Sequence, residues 1–550
     1  MRMLKTVLFI VVFLIPGVLQ AQQEEVRVVK PYTPTLSGAE KIQLLPRIGQ
    51  EVSYETPDFD YSIFPKRYET GFRLRPIKPA RMVRPALDKL YKSQLTLGGG
   101  NYLTPLAELR INQLRSSDGT FGVVMQHQSI NGQVRLENDT KVDAGFNENR
   151  LEFYGNRFGR RTIFEYKAGA NYNAYVHYGV DTAFADTVSR ETMTHPYLGA
   201  YGALGFQSAR PDSFHLQYRG ELQYDFFTHD FDQLEHDAAF EGSLSQLVRD
   251  FRVGGDIGVR YTGHPGGWDT LFTNQFVVHL DPYITKTSDE WMFRAGVNAY
   301  TEIRDGVVKP RFYLNGKFSF NIVEEVLVPY MGVDGYQEVH SYRSLAGENP
   351  YVVPGLSVMP THHKIIVYAG IKGKVIDQVG WNFRGSYSVV DDQYFFVTDT
   401  TDILHNQFGV LYDDMTVLNL HGEFNIRPME SLQLFLEGDY YDYQMVRESY
   451  AWYKSAFNMS LRARYNIGDK ILADAGAVVI GPRYYPSLVA GGDPGKLNTT
   501  VDINMGLEYR YTGLLSFWAK FNNMTARPYY AWYNYPSYRF RFLLGFTYAL

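Results

Sequence analysis

The sequence predicts an all-β protein: a transmembrane antiparallel β-barrel of about 22 strands behind a proline-rich N-terminal periplasmic arm. Three observations predict it. The chain opens on a short apolar run of the secretory kind, and no later apolar run is long enough for a membrane helix. Its later segments alternate apolar and polar residues over strand lengths. Composition agrees, with 43 Tyr, 49 Gly and 15% aromatic residues, a bias that suits many strands meeting a membrane.

The first element is residues 1–21. Arg2 and Lys5 precede the run TVLFIVVFLIPGV, and LQA leads into the polar QQEE. The order of basic, apolar and cleavage segments is that of a signal peptide, with cleavage expected after Ala21. Export follows. The chain has no cysteine, which excludes a lipid-anchored lipoprotein and a disulfide framework. A net charge of −5 argues against nucleic acid as a partner.

Residues 22–91 form the second element, an arm carrying Pro31, Pro34, Pro46, Pro57, Pro65, Pro76, Pro79 and Pro85. Proline interrupts helices and central strands, so the arm should be extended or irregular, either periplasmic or in the barrel lumen. Its second half is basic, from Lys66 and Arg67 through Arg73, Arg75, Lys78, Arg81 and Arg84 to Lys89. Such a run suits a solvated linker, a contact with acidic side chains in the barrel mouth, or a periplasmic partner.

Residues 92–550 form the third element, the barrel. Leu216, Tyr218, Leu222, Tyr224 and Phe226 alternate with Gln217, Arg219, Glu221, Gln223 and Asp225. Phe457, Met459, Leu461, Ala463 and Tyr465 alternate with Asn458, Ser460, Arg462 and Arg464. In a membrane barrel the apolar set faces lipid and the polar set a wet interior, which Arg462, Arg464, Asp502, Glu508, Arg539 and Arg541 would line. The segment Ile471 to Ile480 alternates poorly. Connections alternate in length. Ser116 to Gly119, Asp250, Gly468 to Lys470 and Thr512-Gly513 are short. Asp181 to Arg190, His264 to Asn274, Tyr342 to Thr361, Tyr484 to Asn498 and Thr525 to Ser537 are long. Short periplasmic turns and long external loops are the pattern of outer-membrane barrels.

The last thirteen residues, YRFRFLLGFTYAL, place Tyr538, Phe540, Phe542, Leu544, Phe546, Tyr548 and Leu550 on one face. The stretch resembles the C-terminal targeting strand of Gram-negative outer-membrane barrels, although that strand usually ends in Phe or Trp. The resemblance implies that Phe546, Tyr548 and Leu550 present the chain to the barrel-assembly machinery for insertion into outer-membrane lipid.

The tetrapeptide YAWY occurs twice, as Tyr450 to Tyr453 and Tyr530 to Tyr533. Four strands lie between the copies, an even number, so both should emerge at the external rim. One expectation is an aromatic girdle, since Tyr and Trp collect where apolar chains meet headgroups. The other is a ligand platform built on Tyr450, Trp452, Tyr453, Tyr530, Trp532 and Tyr533.

Near the expected mature N-terminus stands Glu24-Glu25-Val26-Arg27-Val28-Val29-Lys30. An acidic start followed by Val-x-Val-Val resembles the TonB box of TonB-dependent receptors. In that family the box adds as a strand to the energy-coupling protein, which implies Glu24, Glu25, Val26, Arg27, Val28 and Val29 as partner-binding residues. The family also has 22-stranded barrels. This chain departs from it in having no segment long enough for the folded plug domain. The resemblance therefore covers the barrel and the box.

No catalytic set stands out, and the chain is not read as an enzyme. No cofactor is implied. The run His229, Asp230, Asp232, Glu235, His236 and Asp237 could supply metal ligands, but a solvated polar loop accounts for it, and no metal site is assigned. Two function classes follow. The first is receptor-like transport of a solute across the outer membrane, or its passive, porin-like version. The second is a structural or assembly subunit that docks other outer-membrane subunits through the arm.

Overall fold

A computed structural model describes residues 90–550, apart from 182, 185–186, 211–214, 231–232, 266–273, 305, 324 and 490. Residues 1–89, which hold the expected signal peptide and nearly all of the expected arm, lie outside the described residues. No described helix is long and apolar enough to cross a membrane, and crossing falls to strands.

The described chain is all-β, with 22 strands joined in one antiparallel sheet. The first, Ser93–Gly100, pairs with its successor Leu106–Asn112 and also with the last, Arg541–Ala549. Closure is tight at this seam. Leu95 pairs with Tyr548 and Leu97 with Phe546. Beyond the register, the Leu550 oxygen accepts from the backbone N–H of Lys92 at 2.8 Å and of Ser93 at 3.1 Å. The ring of Trp518 lies across Gly98 and Gly545, where a Cβ on either would collide with it. Glycine is required at both positions because the indole occupies the side-chain space.

The period of two sets the wall. Phe312 and Leu314 are 74% and 60% exposed, on the face opposite Arg311, Tyr313 and Asn315. Met459 and Leu461 are likewise exposed, opposite Ser460 and Arg462. An apolar exterior around a polar interior is the inverse of a soluble barrel and suits lipid outside and water within. Ile471–Ile480 is a full strand despite its weak alternation, paired on both edges. Its small Ala473, Ala475 and Ala477 hide the pattern in hydropathy, while register fixes the faces.

Connections at one rim are short, such as Gly159 to Arg161 and Arg249-Asp250. At the other rim they are long, including 177–193, 339–360, 446–456, 481–499 and 523–540. The principal cluster of buried apolar residues belongs to that second rim, not to the middle of the barrel.

Candidate functional site

The connection 339–360 carries the helix α1, Tyr342–Glu348. The Ser341 hydroxyl accepts from the Ser344 N–H, and the Ser344 hydroxyl accepts from the Ser341 N–H. This capping box starts the helix without any strong helix-forming run. α1 does not project into solvent. The backbone N–H groups of Tyr342 and Arg343 donate to the two Glu235 carboxylate oxygens at 2.7 and 3.2 Å. Glu235 belongs to the eighth strand, Gln233–Val248, and is 1% exposed. The Arg343 guanidinium pairs with Asp225 on the seventh strand, Gln217–His229. Asp225 and Glu235 alternate with the outward residues Tyr224 and Leu234, so α1 lies inside the barrel wall.

The connection then crosses the mouth. The Tyr197 hydroxyl of the sixth strand donates to the Pro350 carbonyl at 2.7 Å. Tyr351 stacks on Tyr535 at 3.8 Å between ring centres. Tyr351 and Val353 exchange backbone hydrogen bonds with Phe408, the first residue of the sixteenth strand, Phe408–Met429. The Tyr535 hydroxyl donates to the Asn406 carbonyl, whose side-chain amide donates to the His177 carbonyl at 2.9 Å. These contacts join the sixth, eighth and sixteenth strands with the final connection, positions spread around the circle. The result is a lid of packed side chains over the long-loop end.

Both YAWY segments belong to this lid. They meet there: Tyr453 and Trp532 are 5.0 Å apart between ring centres, and the Tyr533 N–H donates to the Tyr453 hydroxyl at 3.4 Å. Trp532 also packs against Phe396 and Phe408, and Tyr533 against Tyr485. Trp452 and Tyr453 are only 5% and 7% exposed, and the Trp452 indole N–H donates to Glu448 at 2.8 Å. Their rings therefore turn inward. These two form no lipid-facing girdle; Tyr530 and Tyr533 are half-buried and line a hollow of about 170 Å³ with Tyr485 and Tyr529, and Tyr450, stacked on Tyr484, remains exposed at the edge. The physical reason is that a girdle ring needs lipid on one side, whereas these connections rise beyond the wall and find each other. Burial holds the phenols of Tyr178, Tyr342, Tyr351 and Tyr535 well above the usual tyrosine range. The lid consequently carries no phenolate charge near neutrality.

Beneath α1 the wall encloses a cavity of about 430 Å³, lined by Arg150, Lys167, Tyr197, Tyr201, Asp225 and Arg343 among others. Arg150 and Lys167 both approach Glu152, at 2.5 and 3.3 Å, and the Tyr201 hydroxyl donates to the same carboxylate. A second hollow of about 500 Å³ in the wall is lined by Lys317, Tyr330, Lys372, Arg384 and His421 among others. There the Arg384 guanidinium lies 4.5 Å from the Tyr368 ring centre. The lining of both hollows is thus charged and aromatic.

The remaining sequence candidates fall as follows. Phe546 and Tyr548 are on the outer face of the closing strand. Glu24 to Val29 lie outside the described residues. Of the polar run from His229 to Asp237, His229, Glu235 and Asp237 are buried at strand ends facing inward rather than solvated, Asp230 is exposed in the turn, and Asp232 lies outside the described residues. His236 faces outward and bonds the Tyr224 hydroxyl at 2.6 Å, so the run does not converge on one point. Sequence reasoning missed Glu235 as the seat of α1. The adjacent signal was Ser341-x-x-Ser344 in a long connection, which marks a helix start but not its acceptor.

No family model matches the sequence, and no curated protein is detectably similar. Solved structures do match. The ferric-catecholate import receptor Fiu from K12 E. coli aligns over 84% of this chain and 82% of its own, with TM-score 0.60 and 12% identity. The copper transporter OprC aligns over 84% and 81%, with TM-score 0.63 and 10% identity. The ferric enterobactin receptor PfeA from Pseudomonas aeruginosa aligns over 84% and 81%, with TM-score 0.59 and 10% identity. At such identity the likeness defines the fold alone: this chain shares the barrel fold of these three structures.

Proposed function

We propose that the protein is a TonB-dependent-receptor-like barrel of the outer membrane that admits a small polar solute through a lid made from its own long connections. The observation that supports this most is the lid itself: α1 seated on Glu235 above a charged, tyrosine-lined cavity. A structural barrel has no need of a wet cavity beneath a closed mouth. Solute transport by the fold's neighbours points the same way: one is an import receptor for ferric catecholate and another a copper transporter.

In this reading Glu24, Glu25, Val26, Arg27, Val28 and Val29 form the strand that a TonB-type energy-coupling protein captures. Phe546, Tyr548 and Leu550 mark the chain for the barrel-assembly machinery. The absence of cysteine makes a direct test clean. Val352 and Phe408 are paired in a backbone bridge, close enough for an engineered disulfide. Proteoliposomes carrying the lid-loosened variant Glu235→Ala should pass a small sugar such as raffinose. Adding Val352→Cys with Phe408→Cys should abolish that flux when oxidised and restore it on reduction. Flux indifferent to the redox state would remove the lid from the pathway.

A further inference from the structure

Three imidazoles and a carboxylate from distant chain positions meet where the fifth, sixth and seventh strands reach the long-loop rim. His177 follows the strand Thr162–Val176, His195 opens Thr194–Ser208, and His229 closes Gln217–His229 with Asp230 next to it. Antiparallel register places them side by side, since Val176 pairs with Thr194 and Tyr197 with His229. Asp230 holds two of the rings. One oxygen is 2.8 Å from His195 Nδ1, and the other is 2.6 Å from His229 Nδ1. The His177 ring is edge-on to His195 at 4.3 Å between centres, and the His195 and His229 rings are nearly parallel at 6.0 Å.

His177 is the anomaly. It is fully buried, and neither ring nitrogen has a hydrogen bond of acceptable geometry. The Pro350 carbonyl, which accepts from the Tyr197 hydroxyl and has a second lone pair, stands near one nitrogen at most. A buried imidazole that keeps at least one nitrogen without a partner is costly unless it serves a ligand.

We infer that His177, His195, His229 and Asp230 form a binding site for one divalent transition-metal ion of the Zn²⁺ or Cu²⁺ kind. Three neutral imidazoles and a carboxylate are a ligand set these ions accept. Ligand atoms around such an ion stand about 3.4 Å apart for bonds of about 2.1 Å in tetrahedral geometry. The two Nδ1-to-carboxylate separations would open by less than an ångström, while the His195 and His229 rings, 6.0 Å apart between centres, would draw together around the ion, each ring moving its proton to Nε2. His177 would supply the third nitrogen by rotating within its pocket. The ion would tie three strand ends together directly under the lid, because Tyr351 packs edge-on against His177 at 5.4 Å.

A rival exists in the lumen, where ligand atoms of His421, Glu437 and Asp439 lie within 4.8 Å of one another. That group shares its hollow with Lys317, Lys372 and Arg384, whose charge opposes a cation.

The test uses the full chain in detergent, without a histidine tag, stripped with EDTA and then dialysed against Zn²⁺ or Cu²⁺. Bound metal is read by mass spectrometry, and Co²⁺ replaces Zn²⁺ for visible absorption. The expected result is one ion per chain with tetrahedral Co²⁺ bands. Loss of that ion is expected in His177→Phe and Asp230→Asn, with retention in His421→Ala. Folding of each variant is read from heat-modifiable gel mobility. His195→Gln, a polar replacement, is the fallback should either unfold, with affinity lower by about tenfold or more. Absence of stoichiometric metal on the wild type would overturn the site. So would retention by folded His177→Phe and Asp230→Asn, by folded His195→Gln, or loss confined to His421→Ala.

Discussion

Replacing Glu235 by alanine removes the acceptor for two backbone N–H groups at the start of α1, and the site is too buried for water to take its place. Leaving a buried N–H without its acceptor costs about 1–3 kcal/mol, so two of them at about 1.5 kcal/mol each give about 3 kcal/mol. If the lid opens as a unit, that loss raises its open fraction by about 150-fold, since 1.4 kcal/mol is a factor of ten. Glu235→Gln keeps one acceptor and should recover about half of the energy, leaving a rise of about tenfold. Backbone hydrogen exchange in detergent measures this directly. Amides of 342–353 should exchange faster in Glu235→Ala by the predicted factor, while those of the mid-barrel strands stay unchanged. Equal exchange of 342–353 in wild type and Glu235→Ala would refute the assignment of Glu235 as the seat of the lid. Acceleration across the whole barrel would refute the separation of lid from wall.

Other outcomes follow from the same geometry. His340 is buried in the lid beside Tyr394, 3.0 Å from the Thr361 hydroxyl, and burial chiefly lowers its pKa. Arg260 and His363 lower it further, while Glu338 and Glu348 oppose the shift. A histidine held neutral by folding contributes its stability above the unfolded pKa, near 6.5, and loses it as pH falls. Exchange of 339–360 should therefore rise on acidification below that value, and less so in His340→Gln. At the barrel seam, Gly98→Val should collide with Trp518 and cost about 1–3 kcal/mol in urea unfolding; adding Trp518→Ala should recover part of the loss. In the arm, Val28→Pro removes a backbone donor from the proposed coupling strand. It should abolish energy-dependent uptake and crosslinking from Arg27 to a TonB-type protein while leaving the barrel folded.

Much of the architecture was legible because a membrane barrel obeys local rules. Alternation at Phe457 to Ile467 and at Arg541 to Ala549 is a two-residue pattern, readable without any partner strand, although Tyr538 to Phe540, expected in the same strand, belong to the connection before it. Turn lengths such as Gly468 to Lys470 against Tyr484 to Asn498 gave the rims, and an even number of strands put both YAWY copies at one end. The lid was not legible. Whether Tyr453 and Trp532 face lipid or each other depends on how connections separated by about eighty residues fold back, and no periodicity encodes that. The same holds for His177, His195 and His229, which only register brings together. Glu235 reads as one acid in a polar run until the Tyr342 and Arg343 amides are placed upon it.

The central claim is that the long-loop end is closed by a lid over a wet lumen. Labelling a single cysteine from outside tests it most directly, since the chain has none of its own. Gln223 lines the cavity beneath α1, and Val489 is exposed in the connection 481–499. On intact cells, a membrane-impermeant maleimide should label Val489→Cys rapidly and leave Gln223→Cys almost untouched. Gln223→Cys should become reactive once Glu235→Ala is added. Fast labelling of Gln223→Cys with Glu235 intact would show an open mouth and contradict the account.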